Sequence, residues 1–95
     1  MFVRMATFRL LADKAEEAAQ TYAQKGAPLV RQQPGNQGCF LLEPVEPGAD
    51  HVACTLWATE ANAQAYEQSG LAQQVANLLR PAFAGPPQLR TFRSR

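Results

Sequence analysis

The sequence holds one histidine, two cysteines and one tryptophan. His51, Cys39 and Cys54 form no cluster that makes a zinc site, so no metal site is expected. No apolar run reaches the roughly 18 residues that a membrane-spanning helix requires. Met1-Phe-Val-Arg-Met lacks a cationic start followed by an apolar segment, so no secretory signal is expected. These absences point to a cytoplasmic protein with reduced thiols. Charge is sparse as well. Asp, Glu, Lys and Arg make up 18% of residues and the net charge is +1, which gives no basis for nucleic acid or an anionic membrane as partner. After Glu67 there is no acid at all, while Arg80, Arg90, Arg93 and Arg95 follow; these read as a solvated last strand and tail. The chain has no Gly-rich phosphate fingerprint, no Ser/His/Asp set and no paired acids at catalytic spacing. Flavin and nicotinamide therefore find no local support.

What is present describes one globular domain spanning residues 1–95, with 46% hydrophobic residues and a core of modest size. That apolar share is somewhat high for a small monomer and favours a buried interface. The organising stretch is Val52 to Tyr66. It reads as a strand running into a helix, with Trp57 at the strand's end and Tyr66 on the helix.

Phe2 to Arg9 alternates with period two and reads as a strand with apolar residues on both faces. Asp13 and Glu16 have the spacing of a capping box. Ala15, Ala18, Ala19, Tyr22, Gly26 and Leu29 then follow helical spacing, and the mostly alanine stripe lets this helix lie close to a sheet. Pro28 interrupts the pattern; its ring would clash with the Gln24 carbonyl, so a kink or break is expected near Gly26. Pro34 to Gly38 reads as a turn, Cys39 to Glu43 as a short strand, and Pro44 to Asp50 as a hairpin loop. His51 to Ala58 returns as a strand. A hairpin centred near Pro47 brings Cys39 near Cys54, with the register left open. Thr59 is the expected N-cap of a second helix, Glu60 suits its positive first turn, and Ser69-Gly70 ends or bends it. Leu71, Val75, Leu78, Leu79 and Ala82 mark another helical piece that Pro81 should end. Gln88 to Arg93 is the last strand.

The order strand, helix, strand, strand, helix, strand predicts an α+β, ferredoxin-like βαββαβ fold: a four-stranded antiparallel sheet with helices on one side. The uncovered face, apolar like the other, needs a partner, and an isologous homodimer is the simplest one.

Arg31-Gln-Gln-Pro-Gly-Asn-Gln-Gly38, followed by Leu56-Trp-Ala-Thr-Glu-Ala-Asn-Ala-Gln-Ala-Tyr66, resembles the antibiotic biosynthesis monooxygenase family. The resemblance covers nearly the whole chain in element order. It implies ferredoxin-like subunits paired into a dimeric α+β barrel. It also implies a range of activities: cofactor-free quinone-forming monooxygenases, haem-degrading enzymes, and an isomerase of a signalling molecule. Trp57 matches the aromatic that ends the family's third strand. In the quinol-oxidising and isomerase branches histidines commonly occupy the positions where this chain has Tyr66 and Leu71. In the haem-degrading branch a tryptophan stands at the Tyr66 position, an asparagine lies on the first strand where this chain offers Thr7 or Phe8, and the iron-ligating histidine falls where Ala76 stands. Without that imidazole the iron loses its ligand, so no cofactor is expected.

A cofactor-free oxygenase needs an apolar cavity, a base to form a phenolate, and donors to hold it. Histidine suits the base role, which makes His51 a catalytic candidate. It lies roughly 20 Å along the strand from Trp57, and an exposed or structural role is the plainer reading. Tyr66 is the other catalytic candidate, as donor or, with a depressed pKa, as base; its alternative is a core tyrosine. Trp57, Tyr22, Phe8 and Arg9 are the candidate substrate-binding residues, with Arg4 and Arg9 able to meet an anion from the first strand. Packing explains the aromatics equally well, and solvation or an interface explains the arginines. Three readings remain: a cofactor-independent monooxygenase acting on a small aromatic or hydroquinone-like substrate, a non-catalytic or regulatory dimer binding a small apolar or aromatic ligand, and a different enzyme on the same scaffold, such as an isomerase or decarboxylase.

Overall fold

Four strands form one antiparallel sheet in the order β2-β3-β1-β4 in the computed structural model, which describes residues 1–95. β1 (Phe2–Phe8) and β3 (His51–Trp57) lie at the centre, with β2 (Asn36–Leu42) and β4 (Gln88–Arg93) at the edges. α1 (Ala15–Thr21) and α2 (Ala27–Arg31) connect β1 to β2; α3 (Glu60–Gln68) and α4 (Leu71–Leu79) connect β3 to β4. This is the ferredoxin-like arrangement that the element order predicts.

Pro28 acts as expected in place but not in form. A π-helical turn, Tyr22–Gly26, joins α1 to α2, so the helix widens instead of breaking. Widening removes the need for the amide that proline lacks. A Cβ at Gly26 would come within 3.3 Å of the Tyr22 ring, a tight approach, and meet Val75 Cγ1 of α4 at an ordinary 3.4 Å, so glycine there leaves room for the Tyr22 ring. Asp13 does not cap α1. It sits inside a 3-10 turn, Ala12–Lys14, and Lys14 precedes α1 with no side-chain cap bond. The Lys14 amide already bonds the Leu11 carbonyl at 2.9 Å, so the chain is helical before the anticipated cap position.

β2 also begins earlier than the sequence suggests, at Asn36 instead of Cys39. A bulge between Asn36 and Gly38 absorbs Gln37, and the Asn36 side-chain amide donates to the carbonyls of Gly38 and Leu56, at 3.2 and 3.3 Å. The second helical region follows expectation. Thr59 is extended and its hydroxyl accepts the Asn62 amide at 3.1 Å. Gly70, with φ +87°, turns the chain from α3 into α4, as only a residue free of a Cβ does readily. Pro81 lies in the 3-10 turn Arg80–Ala82 that ends α4.

The pleat gives the sheet two unlike faces. Arg4, Ala6, Phe8, Cys39, Thr55 and Trp57 face the helices; the main core forms there around the fully buried Trp57. On the other face Val3 and Cys54 are buried among neighbours, whereas Phe40, Leu42 and Phe92 stay 49%, 46% and 46% exposed. No helix covers that face. Cys39 pairs with Thr55, and Phe40 pairs with Cys54. The two cysteines therefore project to opposite faces, and both are free thiols. No helix is long and apolar enough to cross a membrane.

Candidate functional site

A cavity of about 310 Å³ opens between the helix-facing side of the sheet and α4. β1 and β3 supply its floor through Arg4, Ala6, Phe8, Ala53 and Thr55. α4 supplies a wall of small and aliphatic side chains, Ala72, Val75, Ala76 and Leu79. Tyr22 closes one side from the π-helical turn, and Tyr66, with Glu67 beside it, closes another from α3. The wall follows from the spacing of α4, which puts Ala72, Val75, Ala76 and Leu79 on one stripe.

Polar groups in this cavity are few and ordered. The Trp57 indole N–H donates to Thr55 Oγ1 at 2.9 Å, which leaves the Thr55 hydroxyl hydrogen free to donate elsewhere. Trp57 also stacks on Tyr66, with ring centroids 4.9 Å apart. On Tyr66's ring lies the Arg4 guanidinium, 5.3 Å from the centroid. Glu67 Oε1 stands 3.9 Å from the same guanidinium. Tyr22 and Cys39 share a buried hydrogen bond of 2.8 Å.

Burial sets the proton state of both tyrosines. It pushes the Tyr66 phenol up to about 12, with Arg4 offsetting only part of the effect. Burial raises Tyr22 further, reinforced by its bond to Cys39. Both hydroxyls are protonated at neutral pH, so both are donors and neither is poised as a base.

The structure thus brings Tyr66, Tyr22 and Phe8 to one cavity. Trp57 stands behind them, fully buried, where it orients Tyr66 and Thr55. Arg9 lies elsewhere. It faces Asp50 at 3.7 Å beside a separate shallow depression, and its side chain is 62% exposed. His51 does not line the cavity. It is buried flat against Phe8, with centroids 6.3 Å apart, and its Nδ1 has no hydrogen-bond partner. Sequence reasoning passed over Thr55 and Glu67. The parity of β3, which puts Thr55 beside Trp57, was the available signal for the first. Glu67 had none, because only the packing of α3 shows which of its residues meets the cavity rim.

The lining also bears on haem. It includes no histidine, cysteine or methionine, and Ala76 occupies the wall. The donor set does not fit the common axial ligations of haem iron, and the two tyrosines are held protonated.

Residues 1–78 match the family model described as antibiotic biosynthesis monooxygenase. Among solved structures, one from Nitrosomonas europaea that carries the family's name superposes with a TM-score of 0.81 at 16% identity, covering 99% of this chain and 98% of that one. One from Bordetella bronchiseptica, also carrying that name, gives 0.79 at 21% identity, covering 99% and 96%. The heme-degrader MhuD from Mycobacterium tuberculosis, with two hemes bound in its active site, gives 0.80 at 23% identity, covering 99% and 95%. No curated protein matches the sequence. At these identities the structural likeness is one of fold.

Proposed function

The chain belongs to the antibiotic biosynthesis monooxygenase family, and we propose that it is a cofactor-independent monooxygenase oxidising a small aromatic, hydroquinone-like substrate in the cavity between α4 and the sheet. The observation that carries this reading is an apolar cavity whose hydroxyl donors are held in place by a buried tryptophan. The substrate ring packs on Ala6, Phe8 and Leu79. Its ionised phenol oxygen accepts hydrogen bonds from Tyr66 and Thr55. Trp57 fixes both donors, so little reorganisation accompanies reaction.

The chemistry is then the substrate's own. The substrate enters already ionised, its proton left to solvent, because no base faces it inside the cavity, and the phenolate is electron-rich enough to reduce dioxygen. Overall, a phenol or naphthol with a free para position gives a quinone and one water, its ring C–H becoming C=O, and a hydroquinone gives a hydroxyquinone and one water, its ring C–H becoming C–OH. One oxygen atom enters the product, the other leaves as water, and the substrate supplies all four electrons. Tyr66 is assigned the role of donor, and His51 a packing role against Phe8. Arg9, away from the cavity, takes no part. Oxygen uptake screened over substituted hydroquinones and naphthols tests the proposal. Uptake above the buffer rate that disappears in Tyr66→Phe supports it; no uptake with any of them sinks it.

A second reading has its own support. Leu71 and Ala76 stand where the sequence resemblance places histidines, and no base lines the cavity except Glu67 at its rim. A non-catalytic protein binding a small apolar or aromatic ligand fits those facts. Ligand binding without oxygen uptake selects it. Under either reading we assign a homodimer, formed by the exposed apolar sheet face against its own copy, and a cytoplasmic location, which suits two free cysteines.

A further inference from the structure

We propose that this cavity takes its ligand as an anion: a small planar aromatic molecule with one ionised carboxyl or phenol group, which displaces Glu67 from Arg4. The proposal rests on the reading of the cavity as the ligand site and adds the ligand's charge.

Arg4 is the only cation among the lining residues, and Glu67 is the only anion. The Arg4 side chain is 13% exposed, against 62% for Arg9 and 73% for Arg93 in the chain's other ion pairs. A guanidinium largely shielded by protein has little water for its five N–H donors and is favoured by a partner. Glu67 does not supply them. At 3.9 Å its nearest oxygen lies beyond hydrogen-bond distance, and its side chain is 59% exposed. The cation, by contrast, is held in place, packed on the face of Tyr66. A fixed, poorly partnered cation on the floor of an apolar cavity matches one kind of ligand. That ligand presents an acidic oxygen to the guanidinium fork and a flat ring to Ala6, Phe8 and Leu79. Glu67 then serves as a loosely bound internal counter-ion. It swings to solvent when the ligand enters, and it competes with the ligand for Arg4.

Isothermal titration calorimetry with 2-naphthoate and its neutral isostere 2-naphthamide tests this at neutral pH. The acid should bind about tenfold or more tighter than the amide, as expected for a charge-assisted pair. Arg4→Gln should erase that ratio, weakening the acid far more than the amide. Glu67→Gln, a change at an exposed side chain, should tighten the acid several-fold and leave the amide unchanged. Circular dichroism and thermal melts verify that both variants fold; if Arg4→Gln does not, the Glu67→Gln comparison decides. Equal affinities for acid and amide, no binding of the acid up to its solubility, or weaker acid binding in Glu67→Gln overturns the proposal. Oxygen uptake is measured separately. Acid preference without uptake of oxygen by any phenol leaves the anion site standing and removes the oxygenase reading. Uptake of oxygen with phenols, alongside equal affinities for acid and amide, does the reverse.

Discussion

Trp57 lies against Tyr66 with ring centroids 4.9 Å apart and an interplanar angle of 30°. The strand end and the helix are thereby locked together at the edge of the cavity. Trp57 is fully buried and satisfied by Thr55, whereas Tyr66 lines the cavity with its phenol protonated. Tyr66→Phe removes the hydroxyl and keeps the stacking surface. Turnover should fall by roughly 100-fold or more, the scale of losing one preorganised donor to a developing oxyanion. The melting temperature should change little. Oxygen-uptake kinetics beside a thermal melt check both, and unchanged turnover removes Tyr66 from the site.

Trp57→Ala should act on stability first. It empties the centre of the core and leaves Thr55 without its donor. Loss of a buried tryptophan costs roughly 3–5 kcal/mol, a large part of what a domain of this size possesses. Urea denaturation measures it. A loss below about 1 kcal/mol would mean that the joint is not the keystone of the core.

The raised tyrosine pKa values make alkaline stability a further readout. In the folded protein Tyr66 keeps its proton up to about 12, while in the unfolded chain it titrates near 10.0. Between those values the folded state binds more protons than the unfolded one, so stability falls as pH rises. It is fully present below about 10 and lost progressively up to about 12, with Tyr22 pushing in the same direction. Urea midpoints should therefore fall steeply from about pH 10, and less so in Tyr66→Phe. Only two tyrosines exist, so ultraviolet difference absorbance should show almost no phenolate in the folded protein at pH 10. Half-ionised tyrosine at that pH contradicts their burial.

The exposed apolar sheet face yields a prediction about assembly. Phe40, Leu42 and Phe92 stand 49%, 46% and 46% exposed on one side of the sheet. The wild-type protein should have the mass of a dimer by light scattering. Phe40→Glu with Phe92→Glu places charge on the face that pairing would bury, and should shift the mass toward the monomer. A wild-type monomer at tens of micromolar rules the pairing out.

The fold was legible because its punctuation is chemical. Pro81 fixes its own φ, Gly70 permits the positive φ of the turn, and Thr59 offers a side-chain cap that nothing nearby overrides. Asp13 and Asn36 misled for the opposite reason. A capping box is a preference that an earlier 3-10 turn overrides, and Asn36-Gln37-Gly38 reads as a turn until a bulge and the Asn36 side chain draw it into β2. The cavity was half legible. Tyr66, Tyr22 and Phe8 converge as aromatics at a strand-helix joint should. His51 could not be placed from sequence, since parity shows the face of a strand but not the distance to a pocket. Arg4 showed its face, but its burial and its weak counter-ion depend on how α3 sets Glu67.

Ala76 gives the sharpest test of why this cavity differs from a haem site. It lines the wall formed by α4, in the position where the sequence resemblance places an iron-ligating histidine. The remaining lining residues offer no imidazole, thiolate or thioether. Adding haem to the wild-type protein should therefore give no tight, stoichiometric Soret shift. Ala76→His inserts an imidazole at the cavity wall, on a helix that is already formed, and supplies the missing axial ligand. That variant should bind haem with a distinct Soret band. A tight shift in the wild type would mean that a tyrosine, despite burial, ligates iron as phenolate. No shift in Ala76→His would mean that cavity shape, and not the missing ligand, is what excludes haem.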